Sequence, residues 1–308
     1  MKKQAYFFID DVIWVMRDLT RLRPKSMFDN PFMNTLKKAH DQYGLTVQLN
    51  LFYRTDFFYG NDEFTLSDMT DEYKSEFEKA SDWLKMTFHA KQEFPDYPYI
   101  NAEYDDVKQN CMQILDEIRR FAGEKSISRA IVPHWLPISK EGCRALKDCG
   151  LEFIYCSDGE TTEFTGDDSV LPYGHGARIK QNRKPETRLY TRPGANISIR
   201  SSACAYNHLS TAQNDALIGK NNSLTDDYTA MKFRARGVGP CLNLYTLADI
   251  ERILEERNGT SFISVGNHEQ YFYSDYYAYQ PDYSQKIMTM SHVLHKNGYE
   301  FITADSFM

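Results

Sequence analysis

Short apolar runs, each closed by a polar residue, alternate along this chain with amphipathic stretches. Asp10 and Asp11 follow Ala5-Tyr6-Phe7-Phe8-Ile9, and His89 follows Leu84-Lys85-Met86-Thr87-Phe88. His134 follows Ala130-Ile131-Val132-Pro133, and His268 follows Phe262-Ile263-Ser264-Val265-Gly266-Asn267. Such runs read as buried parallel strands. Parallel neighbours put all their C-terminal ends on one rim, the face that carries the active site in α/β barrels. Two carboxylates and three imidazoles on one rim suit a divalent metal and acid–base chemistry.

The order of elements is βαβα. Strands are expected near 5–10, 46–52, up to His89, 129–134, 151–156, 261–267 and 299–303. Helices are expected near 32–43, 67–82, 103–122, 139–147, 247–257 and 283–297. The helix near 103–122 has the clearest stripe, formed by Val107, Cys111, Ile114, Leu115 and Ile118. Strands alternating with helices imply a parallel sheet with right-handed crossovers. Their even spacing favours a (β/α) barrel of seven or eight strands, somewhat distorted. The expected organisation is one domain over 1–308 with an inserted subregion at about 157–240, after the fifth strand. A segment near 240–246 is expected to bring the chain back to the barrel. No GxGxxG follows the first strand, which argues against a dinucleotide fold.

A formal net charge of −7 argues against nucleic acid, which rewards clustered Lys and Arg. No stretch approaches the roughly 20 apolar residues of a membrane helix. The first residues show no signal-peptide pattern, so a cytoplasmic location is expected. The six cysteines show no CxxC pairing, and Cys111, Cys143, Cys149 and Cys156 read as small residues of a reduced protein. Tyr and Phe number 21 and 19, enough to line a cleft with rings as well as to pack a core.

Each rim residue has a chemical and a structural reading. One of Asp10 and Asp11 can ligate a metal while the other takes a proton from water; alternatively, one caps the next helix. His89 and Glu93 are four apart and would share one face of a helical turn. His134 lies between Pro133 and Pro137, with Trp135 as an apolar wall. Histidine is the side chain whose ordinary pKa lies nearest neutrality, which suits His268 to donating or accepting protons, with Glu269 or Asp275 placed to orient it.

In order, these motifs resemble the polysaccharide deacetylase superfamily, carbohydrate esterase family four with the NodB-homology fold. Phe8-Ile9-Asp10-Asp11 matches its first motif, in which the first Asp is the catalytic base and the second binds metal. His89-Ala90-Lys91-Gln92-Glu93 matches the first His of its second motif and has Glu93 where a second His stands. Ile131-Val132-Pro133-His134 keeps the Pro of the third motif and lacks its Arg. Phe262 to His268 resembles the strand that ends in the family's last His.

The resemblance implies a metal-dependent hydrolase of an amide or ester, above all a deacetylase of N-acetylated carbohydrate. Asp10 would be its base and His268 the acid that protonates the leaving amine. A divalent metal, zinc by chemistry, would be held by Asp11, His89 and either Glu93 or His134. Trp135, Tyr97 and Glu269 are the expected substrate contacts. The expected partner is a carbohydrate or other small acylated molecule, and a homo-oligomer stays open. The altered second and third motifs support a different reading, a non-catalytic carbohydrate-binding protein on a degenerate barrel.

Overall fold

Strand β1 (Lys3–Val12) is buried from Ala5 onward, and the rest of the central sheet is laid against it. In the computed structural model the described residues are 2–55, 63–94, 98–99, 102–135, 138–156, 223–235, 239–276 and 278–307. β1 is followed by α1 (Trp14–Leu22), α2 (Pro31–Tyr43), β2 (Val47–Phe52), α3 (Lys74–Ala80), β3 (Leu84–Ala90) and α4 (Tyr104–Phe121). Then come β4 (Ala130–Ile131), α5 (Lys140–Asp148), β5 (Phe153–Cys156), β6 (Ser223–Thr225) and β7 (Lys232–Ala235). The chain closes with α6 (Leu247–Glu256), β8 (Phe262–His268), α7 (Tyr283–Lys296) and β9 (Tyr299–Phe301).

One sheet runs β3-β2-β1-β8, with β9 also on β1, and every pairing in it is parallel. A second sheet runs β4-β5-β7-β6, parallel except where β6 meets β7. The architecture is thus mostly parallel α/β. Of the expected distorted (β/α) barrel, the described residues show two sheets, with an isolated parallel bridge from Met86 in β3 to Ile127 just before β4. The end of the expected insertion is part of this framework, since β7 extends the ladder of β5. The run at 196–200 lies outside the described residues.

Alternation along β1 divides the core. Ala5, Phe7 and Ile9 face the large apolar layer under the helices, while Tyr6 and Phe8 face a smaller cluster with Phe153, Tyr155 and Phe262. Tyr6 stacks on Tyr155 with centroids 4.6 Å apart. The face shared by Tyr6 and Phe8 leads on to Asp10, so the ladder that fills this cluster also aims the first carboxylate.

Two helical expectations change. α1 was not anticipated, and the helix expected over 67–82 is confined to Lys74–Ala80. The preceding residues form a separate 3-10 turn, Leu66–Asp68. Arg120 of α4 donates to the carbonyls of Leu66 and Met69 at 2.8 and 2.7 Å. The Thr70 N–H, which a helix would return to the Leu66 carbonyl, donates instead to the Thr20 hydroxyl at 3.2 Å.

The returning segment behaves as expected near its start. Cys241 bridges Gly266 in parallel, and Gly266 N–H donates to the Pro240 carbonyl at 3.2 Å. The approach is so close that a Cβ on Gly239 would lie 2.0 Å from the Ser264 carbonyl oxygen. Gly239→Ala should therefore cost about 1–3 kcal/mol in urea unfolding, the usual cost of overpacking. Gly259→Ala, where a Cβ meets nothing within 4 Å, should be close to neutral. Equal midpoints for the two variants would contradict this packing.

Candidate active site

β1 carries its two carboxylates to one site through a backbone irregularity. Adjacent strand residues point to opposite faces. Asp11, however, has a φ of 63°, in the left-handed region, and the β1–β2 register shifts between Ile9 and Val12. Both Asp10 and Asp11 are buried at the rim. Asp10 pairs in register with His268 on the neighbouring strand β8, so the expected base and acid stand side by side.

The hydrogen bonds fix which nitrogen each ring presents. His89 Nδ1 lies 2.6 Å from the Val132 carbonyl oxygen, and His134 Nε2 lies 2.9 Å from that of Glu93. A carbonyl can only accept, so these nitrogens carry the protons. His89 Nε2 and His134 Nδ1 are left with lone pairs. They lie 3.1 Å from each other and 3.2 and 3.3 Å from Asp11 Oδ1.

Three buried electron-pair donors directed at one another require a positive charge among them. Asp11, His89 and His134 are the group able to hold a metal ion among the described residues. Atoms at zinc-ligand distance in a tetrahedron lie about 3.3–3.4 Å apart, close to the spacing seen here. Without a metal a proton serves. Burial pulls the His134 pKa down, but its bond to Asp11 and the charges of Asp11 and Glu93 hold it above the ordinary value. The outward nitrogens bonded to backbone carbonyls are the arrangement found behind metal-bound imidazoles.

The expected chelate of His89 and Glu93 on a helical turn does not form, because β3 stays extended to Ala90. Glu93 is buried beside the group and meets His134 through its backbone carbonyl. Glu269, expected to contact substrate or orient His268, does neither. It is fully buried, and its carboxylate accepts from the Ile13, Trp14 and Val15 amides at 2.7, 2.8 and 2.6 Å. The half-buried Trp135 has its ring centroid 6.1 Å from that of His134, at a tilt of 65°. Tyr97, like the loop residues Asp56, Tyr59 and Asp62, lies outside the described residues. Asp275 is exposed.

Sequence reasoning passed over several polar neighbours of the site. Asn50 donates to Asp10 Oδ1 at 2.6 Å, and Gln48, bonded to Asn50 at 2.7 Å, continues this chain to Ser128. Gln48 and Asn50 alternate with Val47, Leu49 and Leu51, a period-2 signal of a polar inner face. Gln270 donates to Asp11 Oδ2 at 2.8 Å. On the returning segment, Asn243 Oδ1 lies 2.9 Å and Cys241 Sγ 3.6 Å from His268 Nδ1. The oxygen fixes a proton on Nδ1.

Burial alone would lower the His268 pKa, but Cys241 and the charges of Asp11 and Asp10 raise it from 6.5 to about 9. The ring therefore carries its proton at neutral pH, as a general acid must. A pKa raised by folding stabilises the folded state fully below the unfolded value. That contribution is lost as pH rises through the folded value. In metal-free protein the His268 ring should titrate near 9 by NMR, and lower in Cys241→Ala. The wild type should lose more stability than His268→Gln between pH 6.5 and about 9. A ring titrating at 6.5 or below would refute this.

No family model matches the chain, and no curated protein matches it. Among solved structures, it is similar to a 4-alpha-glucanotransferase from Thermococcus litoralis, with a TM-score of 0.54 and 9% identity. That match covers all of this chain, which spans only 40% of the glucanotransferase chain. A family 4 acetyl xylan esterase from Clostridium thermocellum, in complex with cobalt, matches at a TM-score of 0.46 and 10% identity, over 99% of this chain and 90% of its own. A CE4 family pseudoenzyme from Bacillus anthracis matches at 0.44 and 8%, over 99% of this chain and 65% of its own. At 9% identity the match to the glucanotransferase shows a shared fold alone.

Proposed function

We propose that this chain is a metal-dependent hydrolase that removes acetyl groups from N-acetylated carbohydrate. In this reading Asp11, His89 and His134 hold a divalent ion of the zinc class. The observation that carries it is the convergence of three buried lone-pair donors on one point, beside an Asp10–His268 pair in register across β1 and β8.

The donor set suits the group, since imidazole and carboxylate are ordinary zinc ligands. Bound there, a divalent ion supplies a Lewis acid for the acyl oxygen and lowers the pKa of water. Asp10, held by Asn50, takes the proton of the attacking water. His268, protonated at neutral pH and held by Asn243, gives a proton from Nε2 to the departing nitrogen. Trp135 walls the site for the acetyl methyl. The strand-end motifs, through their resemblance to polysaccharide deacetylases, point to carbohydrate as the acylated partner.

The test combines elemental analysis with acetate release from N-acetylglucosamine oligomers. Wild type should carry near-stoichiometric zinc or a related ion, and His89→Ala should lose it. Asp10→Asn should keep the metal while its turnover falls about 10²–10⁴-fold, the usual contribution of a general base. A protein that takes up no zinc, cobalt or nickel, yet binds glycans, would overturn the hydrolase in favour of a carbohydrate-binding protein. Full turnover in Asp10→Asn would overturn the assigned base.

A further inference from the structure

Gln270 lies two residues beyond the expected acid and is buried. Its Nε2 donates to Asp11 Oδ2 at 2.8 Å, while Oδ1 of the same carboxylate faces His89 Nε2 and His134 Nδ1 at 3.2 and 3.3 Å. We infer that Gln270 is a positioning residue that makes Asp11 a one-oxygen ligand and thereby selects the class of metal. The inference rests on the metal centre proposed above.

A carboxylate has two equivalent oxygens and can offer either or both to a cation. An N–H donor on one oxygen removes that equivalence. One oxygen with two imidazole nitrogens suits zinc and its transition-metal neighbours. Calcium instead favours many oxygens, often with both from one carboxylate. Gln270 thus discriminates without touching the ion.

The same turn holds the backbone beneath the ligand. Asp11 adopts a φ of 63°, a conformation that persists only where the surroundings determine it. Glu269 grips the amides of Ile13, Trp14 and Val15 just after it, and Gln270 grips the side chain itself. Gln270 belongs to the 3-10 turn Glu269–Phe272, and its carbonyl accepts from Tyr273 N–H at 3.1 Å. Two consecutive residues after β8 therefore fix both the main chain and the Oδ2 atom of the proposed ligand Asp11 on β1.

The experiment is a competition titration of metal-free protein with zinc, and separately with calcium, against a chromophoric chelator. Gln270→Met keeps the length of the side chain and removes the donor. It should bind zinc 10–100-fold more weakly than wild type, the usual effect of losing a partner behind a ligand. Its zinc-over-calcium preference should narrow, and its metal-free melting temperature should stay near that of wild type. Gln270→Leu is the second variant, should Gln270→Met fold poorly, and it too removes the donor. Wild-type zinc affinity and selectivity in either variant would overturn the inference and leave the metal centre standing. Failure of the wild type itself to bind zinc would overturn the metal centre.

Discussion

Three buried acceptor atoms aimed at one point would repel one another and forfeit their hydration, a cost that only a cation between them removes. The rim is arranged to create that requirement. Val132 and Glu93 use backbone carbonyls to occupy the outward nitrogens of His89 and His134, so neither ring can turn its proton inward without breaking a bond. Both rings pack on Phe52, with centroids 5.5 and 5.0 Å from its own, in contact that holds each ring against rotation. Such preorganisation suits the proposed ion.

The strand ladder turns this local chemistry into a reaction geometry. β1 carries the proposed base and the proposed metal ligand on consecutive residues, which both reach the rim because Asp11 leaves the regular strand conformation. β8 carries the proposed acid at a position paired with that base. The turn after β8 reaches back to hold the start of α1, so displacement of either strand end would disturb both halves of the site. Glu269 does this from full burial, which pushes its carboxyl up to about 7 against the opposing pull of three amide donors. A structural tie of this kind, with 254 to 256 residues between its partners, has no local trace in sequence.

That separation explains much of what was legible and what was not. The strand-end residues Asp10, Asp11, His89, His134 and His268 are readable because an apolar run followed by an isolated polar group is a local pattern, and parallel topology brings such ends together. α1 escaped notice because its N-cap is Ile13, without a capping side chain and without an acidic first turn; the cap comes from Glu269. Glu93 and His134 could not be separated as ligands while the stretch after His89 was open to a helical reading. The extended conformation of β3 through Ala90 decides that the i,i+4 argument does not apply. Asn243 and Cys241 lie on a segment with no periodicity to mark it, and only the Cys241–Gly266 bridge places them beside His268.

A catalytic acid and base must hold opposite protonation states at the same pH, and the proposed pair here are neighbours on adjacent strands. Placed together without other partners, an imidazolium and a carboxylate would form an ion pair and neutralise each other as catalysts. Separate partners prevent that. Asn50 engages Asp10 from the β2 side, through a carboxamide whose oxygen is taken by Gln48. Asn243 and Cys241 engage His268 through Nδ1, from the returning segment on the other side of β8. Each member of the proposed pair is held by a neutral amide on its own flank, Asp10 by Asn50 and His268 by Asn243. The polar residues that sequence reading passed over are thus the ones that anchor the legible ones.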